Sequence, residues 1–246
     1  SSNDKNAKKS LSLFKKKYKH HTLKDANLIV VLGGDGTILS SLHKNYKKKI
    51  PIYGMNKGNI GFLMNNFSED NLEKRLKKSI STKLYPLKIK TISKEGIKNE
   101  LLAFNEVSLI RDSHQSAKIK IDVNGVTKIE ELQCDGCLIS TPAGSSAYNL
   151  SLRGPVVPIG AKILALTPIS PFRPRRWKGA LLPNDAKITL TSKEYKKRPL
   201  RAEADFFEMK NIHKIDVELH KEIYAEILFD KGHDLEERII NEQFNQ

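Results

Sequence analysis

The spacing of apolar and polar positions changes once along the chain, near Pro86. Before that residue, apolar positions recur three and four apart, which predicts amphipathic helices, between short runs that are apolar throughout, which predict buried strands. After it, apolar and polar residues alternate, which predicts half-buried strands. We therefore predict an α/β domain over residues 1–86 and a mostly β, β-sandwich-like domain over residues 87–230.

Helices and strands are predicted to alternate in the first domain. An apolar stripe within the lysine-rich residues 5–19 predicts a surface helix. Apolar runs predict strands at Leu28–Leu32 and Ile50–Tyr53, with helical spacing between them. A last helix is predicted to be capped by Ser68 or Asp70. Its apolar positions are Leu72, Leu76 and Ile80.

Strands dominate the pattern of the second domain. Ile119–Val123, Ile188–Leu190 and Val217–Leu219 alternate with polar neighbours, and Ile223–Phe229 is a further strand candidate. Asn124-Gly125 predicts a tight hairpin turn, because both residues tolerate a positive φ. Many short strands of this kind are typical of a sandwich.

Two helices are predicted outside the strand pattern. Gly144–Leu152 is expected to hold one short helix within the second domain. Asp234 followed by Glu237 forms a capping pattern, which predicts a terminal helix within residues 231–246. We expect this helix to return to the first domain and complete it.

The composition favours anionic partners. Of 246 residues, 43 are Lys or Arg and 28 are Asp or Glu, which gives a formal net charge of +15. Such a surplus attracts nucleotides, polyphosphate, nucleic acid or acidic membranes, although lysine runs also keep a surface soluble. The basic loop Arg173–Trp177 keeps a nucleic-acid binder open as the non-enzymatic alternative. No apolar run approaches the roughly 18 residues of a membrane span and no signal peptide is visible, so we expect a cytoplasmic protein.

The two cysteines, Cys134 and Cys137, have the C-x-x-C spacing of redox motifs and of half a zinc site. No second pair of ligands completes a metal site in the sequence, and the seven histidines are scattered. Asp135-Gly136, between the cysteines, instead suggests a turn that faces a ligand. Two free thiols are typical of a reducing compartment.

The strongest chemical signal is the GGDGT stretch at Gly33–Thr37, which follows an apolar strand. Glycines let backbone N–H groups approach a phosphate closely, because no Cβ intervenes. Thr37 is predicted to cap the following helix or to bind a phosphate. Asp35 either holds a metal ion or takes a proton from an attacking hydroxyl. Backbone contacts to phosphate are predicted for Gly33, Gly34 and Gly36.

Two polar residues, Asn105 and Glu106, interrupt the apolar run Ala103–Val107. Buried polar side chains need partners. Asn105 can donate and accept hydrogen bonds, which suits a ribose or a base edge, and Glu106 can accept from ribose hydroxyls. The alternative is a pair on an edge strand that faces water.

Residues 140–151 form a loop of small hydroxyl residues after the predicted strand Leu138–Ile139. Free N–H groups at the start of a short helix favour an anionic or polar ligand, and Tyr148 can stack on a base. A plain capped helix is the alternative. The Gly-Ser-Ser stretch does not indicate a hydrolase nucleophile, because the G-x-S-x-G pattern is absent and no partnered histidine is evident.

Three of these stretches, in this order, resemble the signatures of the NAD kinase family. They are GGDGT at Gly33–Thr37, the Asn105-Glu106 pair, and TPAGSSAY at Thr141–Tyr148, where the family has TPTGSTAY. The GGDGT turn also occurs in lipid kinases of the diacylglycerol or sphingoid type, which we keep as the alternative function. No nucleic-acid or membrane partner is expected.

The resemblance implies a two-domain kinase with its active site between the domains. It implies that the terminal phosphoryl group of ATP, or of polyphosphate, moves to the 2′-hydroxyl of the adenosine ribose of NAD, which gives NADP. Mg²⁺ would bridge the donor phosphates, and its protein ligands are unknown. The resemblance further implies a homodimer or homotetramer in which the neighbouring subunit completes the dinucleotide site.

The resemblance also implies roles for single residues. Asp35 would be the general base. Asn105 and Glu106 would bind nucleoside groups of the dinucleotide, and Asp135 would accept a hydrogen bond from one of its amides or amines. Position 143 is Ala where the family usually has Thr. The remaining dinucleotide-binding residues would be Ser146, Ala147, Tyr148, Asn149 and Ser151.

Overall fold

The computed structural model describes residues 1–18, 20–58, 61–175 and 177–232. The chain forms two compact units: the first comprises Ser1–Leu84 and the chain from Glu222 onward, and the second comprises Tyr85–Lys221. The predicted terminal helix, with its cap at Asp234, lies outside the described residues, which stop at Gly232.

The first unit is built on four strands: β1 (Ile29–Gly33), β2 (Ile52–Asn56), β3 (Ile80–Leu84) and β16 (Ala225–Phe229). They pair in the order β1-β2-β16-β3. The first three strands of this order run parallel, and β3 pairs with β16 antiparallel. The carboxyl ends of the parallel strands therefore share one edge of the sheet, which is where ligands bind in α/β folds. The strand expected over Ile223–Phe229 in the second domain thus belongs to the first unit.

Among the described residues, three α-helices accompany this sheet: α1 (Lys5–Lys17), α2 (Asp35–Asn45) and α3 (Leu72–Lys78). The helix predicted from the stripe within residues 5–19 is confirmed. Asp4 caps α1 with its carboxylate, which satisfies N–H groups that have no partner within the helix. Phe14 packs into a buried cluster with Leu32 and Tyr53, so the stripe is the face that turns to the sheet.

The helix predicted through Ile80 is shorter than expected. α3 ends at Lys78, and Ile80 opens the edge strand β3, where its side chain is 56% exposed. The predicted caps are also wrong. Asn71 occupies the N-cap position without a side-chain hydrogen bond, and the Ser68 hydroxyl instead accepts a hydrogen bond from the Asp70 N–H.

The second unit consists of two six-stranded antiparallel sheets. One contains β4 (Leu87–Ser93), β5 (Lys98–Ala103), β7 (Ala117–Val123), β8 (Val126–Cys134), β12 (Ile188–Ser192) and β15 (Ile212–Leu219). The other contains β6 (Glu106–Arg111), β9 (Gly136–Ser140), β10 (Ile163–Ile169), β11 (Ala180–Pro183), β13 (Leu200–Ala204) and β14 (Phe207–Met209). Their strand orders are β5-β4-β15-β12-β7-β8 and β11-β10-β9-β6-β13-β14. Apolar residues of both sheets share one buried core, as in a β-sandwich.

The alternating pattern of the second unit is confirmed. Side chains of β7 are buried and partly exposed in turn. The hairpin predicted at Asn124-Gly125 joins β7 to β8, with φ of 52° and 78° at its two residues. The short helix predicted within Gly144–Leu152 is confirmed as α4 (Tyr148–Ser151), and a 3₁₀ turn (Ala143–Ser146) precedes it.

No helix in the described part of the chain is both long enough and apolar enough to cross a membrane.

Candidate active site

The GGDGT stretch joins a strand to a helix, as predicted. β1 ends at Gly33 and α2 begins at Asp35, with Gly34 in the N-cap position. The predicted cap by Thr37 is wrong, because no side chain caps this helix. Thr37 lies in the first turn and folds back on Gly33, where an added Cβ would approach its Oγ1 to 2.5 Å. Glycine at position 33 is therefore required by packing within the turn.

The other two glycines of the turn face open space. A Cβ added at Gly34 or Gly36 would meet no atom within 4 Å among the described residues. The fold therefore does not explain why these two positions are glycine. The first turn of α2 presents N–H groups without helical partners, and an anion can approach them over these glycines without steric hindrance.

Asp35 is oriented by the loop that follows β2. Its Oδ2 accepts a hydrogen bond of 2.8 Å from the Phe62 N–H, and its Oδ1 accepts one of 3.0 Å from the Leu63 N–H. An added Cβ at Gly61 would lie 3.3 Å from Oδ1, so the loop passes close to the carboxylate. Two backbone N–H groups of one loop therefore fix the orientation of the Asp35 carboxylate.

In the polar pair of the second unit, Asn105 is buried and Glu106 is partly buried. Asn105 is 9% exposed, and the alternative of an edge pair that faces water is wrong. Asn105 Oδ1 and Glu106 Oε2 are both buried without a hydrogen-bond partner among the described residues. Leaving such atoms unpaired costs about 1–3 kcal/mol each. The pair is thus poised to accept hydrogen bonds from a ligand.

Glu106 is held in an environment that opposes its charge. Burial, and then the negative charge of Asp205, raise the pKa of Glu106 to about 8. The carboxyl group is therefore largely neutral near pH 7, and a neutral carboxyl group can donate one hydrogen bond as well as accept.

The loop that contains TPAGSSAY is bonded directly to the polar pair. The Thr141 hydroxyl donates to the Phe104 carbonyl at 2.7 Å, and the Thr141 N–H donates to the Asn105 carbonyl at 2.9 Å. Gly144 lies against the same backbone, since an added Cβ would be 2.2 Å from the Asn105 carbonyl oxygen. Two of the three sequence motifs are therefore brought together in one place, where Glu106 pairs with Ser140 across β6 and β9.

The predicted ligand-binding residues of this loop differ in how exposed their side chains are. Tyr148 is 37% exposed, and the pKa of its phenol is raised by burial and then by Glu203. Ser151 is exposed at the end of α4, and Ser146 and Ala147 are partly buried. These four side chains remain accessible to a ligand to different degrees.

Asn149 is engaged within the protein. It is fully buried, its amide nitrogen donates to the carbonyls of Ser145 and Pro155 at 3.1 and 2.9 Å, and its Oδ1 accepts from the Thr167 hydroxyl at 2.6 Å. An added Cβ at Gly154 would lie 2.1 Å from this oxygen, so the chain wraps closely around the amide. This side chain ties the loop to β10.

Asp135 is paired with a cation that the sequence pattern did not indicate. Its Oδ1 lies 2.6 Å from Arg111 Nε, and both side chains are about one-third exposed, 39% and 34% respectively. The Arg111 N–H also donates to the Asp135 carbonyl. A ligand amine that bonds to Asp135 would have to share the carboxylate with Arg111.

The cysteines lie in the core of the second unit. Cys134 and Cys137 are free and buried. Burial raises the pKa of Cys134 to about 12 and that of Cys137 well above its usual value, so neither thiol is poised to act as a thiolate. The redox reading of the C-x-x-C spacing therefore has no support in their environment.

Comparison with known proteins decides the family. Residues 1–84 match the family model of the ATP-NAD kinase N-terminal domain, and residues 104–205 match that of the ATP-NAD kinase C-terminal domain. The NAD kinase of Hyphomonas neptunium is 46% identical over 97% of this chain and 93% of its own length. The NAD kinase of Caulobacter vibrioides is 48% identical over 90% of this chain and 85% of its own.

The chain belongs to the NAD kinase family.

Solved structures of similar fold agree with this assignment. An NAD kinase from Archaeoglobus fulgidus, solved in complex with ATP, has a TM-score of 0.75 and 26% identity, over 97% of this chain and 94% of its own. Yeast NADH kinase, solved with NADH, has a TM-score of 0.75 and 23% identity, over 88% of this chain and 65% of its own. The two-domain NAD kinase fold predicted from the resemblance is confirmed, and the chain is a kinase. The lipid kinase alternative has no support among these relatives.

Several residues that shape the candidate site carry no recognisable sequence signal. Phe62 and Leu63 act through backbone N–H groups, which every residue type except proline supplies. Arg111 and Asp205 lie outside the three motifs.

Proposed function

We propose that this chain transfers the terminal phosphoryl group of ATP to the 2′-hydroxyl of the adenosine ribose of NAD, and that Asp35 is the general base of the transfer. The observation that carries the assignment of Asp35 is its carboxylate, which the N–H groups of Phe62 and Leu63 orient beside a glycine turn. Family membership supports the substrates, since the relatives are NAD kinases and one structure of similar fold contains ATP.

The proposed reaction needs little covalent chemistry from the protein. Asp35 accepts the proton of the 2′-hydroxyl while the oxygen attacks the γ-phosphorus. The bond between that phosphorus and its bridging oxygen breaks, and ADP leaves with the electron pair. Positioning and neutralisation of charge supply most of the rate enhancement in such transfers.

The glycine turn is proposed to hold the donor phosphates. The N–H groups at Gly33, Gly34 and Gly36 lie at or beside the N-terminus of α2, whose dipole favours negative charge. The Thr37 N–H is already engaged, because it donates to the Gly34 carbonyl at 2.9 Å. The open space over Gly34 and Gly36 supports this role, because a Cβ there would occupy room that the protein itself leaves empty.

The second unit is proposed to bind the dinucleotide. The unpaired oxygens of Asn105 and Glu106 suit hydroxyl and amine donors. Asn149 is proposed to support the loop rather than to touch the ligand, since its amide is already engaged. The proposed ligand contacts of the loop and of the following turn are Asp135, Ser146, Ala147, Tyr148 and Ser151.

Mg²⁺ is proposed to arrive as part of the donor nucleotide. Within the described residues, no group of three or more His, Cys, Asp or Glu side chains is placed to hold a metal ion. Mg²⁺ commonly binds substrate phosphates with one or two carboxylates and several waters, which needs no cage built by the protein. When bound with ATP, the ion neutralises charge on the phosphates.

An assay of NADP formation with Mg-ATP tests the proposal. Asp35→Asn should lower kcat at least about a hundredfold, because an amide cannot take the proton. Binding of NAD should persist, since the dinucleotide contacts lie on other residues. Asp25→Asn, which changes an exposed carboxylate whose bonding partner is Thr22, is the matched control and should keep wild-type turnover. Near-native turnover by a folded Asp35→Asn protein would show that Asp35 is not the base.

The phosphoryl donor and the oligomeric state are tested by separate measurements. The same assay with polyphosphate in place of ATP determines whether the donor can be a polymer. The homodimer or homotetramer that the resemblance implies is a further proposal, and sedimentation equilibrium of the purified chain measures it directly.

A further inference from the structure

The backbone between β5 and β6 is the part of the dinucleotide site that most needs support. β5 ends at Ala103 in one sheet and β6 begins at Glu106 in the other, so the chain changes sheets over Phe104 and Asn105. Backbone groups at such a crossing leave the strand ladder, and a buried N–H or C=O must find another partner. Both Phe104 and Asn105 are buried.

One carboxylate receives the N–H groups of this crossing. Asp205 Oδ2 accepts from Phe104 at 2.7 Å, and Oδ1 accepts from Asn105 at 3.0 Å and from Glu106 at 3.2 Å. The Asp205 N–H in turn donates to the Glu106 carbonyl at 3.0 Å. A cluster of successive N–H groups is a common site for an anion, and here the anion is a side chain of the same protein.

The position of Asp205 suits this task. It lies in the turn between β13 and β14, with φ of 52°, a left-handed conformation that Asp and Asn adopt more readily than most residues. Thr141 receives none of these N–H groups and instead bonds to the Phe104 and Asn105 carbonyls. The donors and the acceptors of the crossing are thus satisfied from two separate loops.

We propose that Asp205 is a positioning residue for NAD binding, which fixes the backbone of Asn105 and Glu106 so that both side chains point to the dinucleotide. This inference rests on the proposed role of Asn105 and Glu106 as dinucleotide-binding residues. Asp205 touches no reacting atom. It acts by holding the backbone that orients the side chains of Asn105 and Glu106, and its negative charge opposes ionisation of Glu106.

Asp205→Asn is the decisive variant, because Asn keeps the left-handed backbone and one accepting oxygen. Its NH₂ group would face an N–H donor, and its charge is gone. We expect the KM for NAD to rise about tenfold or more while the KM for ATP stays within about twofold. Asp216→Asn on β15 removes a charge from the other sheet and should leave both constants unchanged.

A pH series separates positioning from a general loss of structure. Two titratable groups face Glu106: Asp205, which lies in the β13–β14 turn, and Tyr148, which lies on α4. Arg201 and Glu203 of β13 are also close to Tyr148. Without the charge of Asp205 the pKa of Glu106 falls, although burial still holds it above its usual value. The pH dependence of NAD binding should therefore move to lower pH in Asp205→Asn. A merely structural defect would lower the active fraction without moving this profile.

Asp205→Glu is the second variant, because it keeps the charge and moves the oxygens by one methylene. It should raise the KM for NAD with little change in the pH profile. A KM for NAD within about twofold of wild type in a folded Asp205→Asn protein, with an unmoved pH profile, would overturn the proposal. If neither variant folds, Asp205 belongs to the fold and the positioning role is likewise overturned.

Hydrogen exchange keeps this test independent of the proposed function. The amides of Asn105 and Glu106 should exchange faster in Asp205→Asn than in wild type, and neither NAD nor ATP is needed for this measurement. If wild type forms no NADP but these amides lose protection, the proposed function fails and the contact between Asp205 and the crossing stands. Unchanged protection would contradict the positioning role directly.

Discussion

At the scale of single residues, Glu106 shows how burial and a neighbouring negative charge change the chemistry of a side chain. Its carboxyl group lies in the second unit with one oxygen unpaired, beside the negative charge of Asp205. Its pKa is about 8 in the folded protein, against an ordinary value of 4.5. The folded chain therefore holds a proton here that the unfolded chain releases between these two pH values.

The proton on Glu106 predicts how stability depends on pH. Because the folded state binds more protons than the unfolded state between pH 4.5 and about 8, the free energy of unfolding should fall as pH rises through this range. Above about pH 8 the loss is complete. Glu106→Gln removes this contribution. Between pH 5 and pH 9, the free energy of unfolding of this variant should therefore fall by about 2–4 kcal/mol less than that of wild type.

Urea unfolding at a series of pH values measures this difference. Glu100→Gln on β5 removes an exposed carboxylate, which is 3.5 Å from Lys88, and it is the matched control that should keep the wild-type slope. A wild-type slope in Glu106→Gln would show that Glu106 is already ionised near neutral pH.

At the scale of elements, the two motifs of the second unit are joined by backbone contact. Gly144 of the TPAGSSAY loop lies against Asn105 so closely that a Cβ would be 2.2 Å from its carbonyl oxygen and 2.6 Å from its Cα. Rigid backbone atoms on a buried crossing cannot move aside cheaply. The 3₁₀ turn Ala143–Ser146 can therefore sit in its place only with glycine at this position.

Gly144→Ala should separate the loop from the polar pair. We expect a loss of about 1–3 kcal/mol in the free energy of unfolding, together with a rise of at least about tenfold in the KM for NAD. Gly160→Ala is the matched control, because a Cβ at Gly160 meets no atom within 4 Å among the described residues. Chemical denaturation and the NADP assay measure the two effects. Equal stability of the two variants would mean that the loop can move away from Asn105.

The elements that the sequence predicted correctly are those whose burial follows a local period. β7 alternates along its whole length, and Asn124-Gly125 closes its hairpin through two positive φ angles. The prediction failed at Ile80, because a four-residue spacing continues the helical pattern although the chain leaves α3 after Lys78. Ile80 lies on an edge strand with most of its surface exposed, so its hydrophobicity did not report burial.

The candidate site could be predicted only where a motif is contiguous. GGDGT reveals its strand–turn–helix geometry locally, because glycines and an apolar run determine it. The environment of Asn105 and Glu106 depends on Asp205, about 100 residues further along the chain. No periodic pattern encodes that contact. The apolar run Ala103–Val107 indicated that the pair is buried, but the raised pKa of Glu106 was not visible in the sequence.

At the scale of the whole molecule, the first unit is interrupted by the second. β3 and β16 are antiparallel neighbours, and Leu84 pairs directly with Ala225. The chain between them forms the second unit, which has its own two sheets and its own core. β16 lies between β2 and β3, so the first sheet would be split without it.

Fragments should show this dependence directly. Residues 85–221 alone should unfold cooperatively, since they contain both sheets of the sandwich. Residues 1–84 alone should not fold, because the position of β16 would be empty. Residues 1–84 joined to residues 225–246 through an Asn-Gly turn should fold, because Leu84 and Ala225 already face each other as the ends of a hairpin.

Circular dichroism during thermal unfolding distinguishes these three fragments. The joined fragment is the control for the short one, since it differs by the returning strand and the residues that follow it. A cooperative transition in residues 1–84 alone would show that β16 is dispensable for the first unit.

Because β16 lies between β2 and β3, the second unit can complete its folding during synthesis before the first unit does. Domains generally fold from the amino terminus as the ribosome releases the chain. Here the second unit is complete once residue 221 has been made, whereas the first unit still waits for Ala225–Phe229. Residues 1–84 must therefore remain without β16 while the whole sandwich is translated. During that time β2 has an unpaired edge that a chaperone or a neighbouring nascent chain can reach.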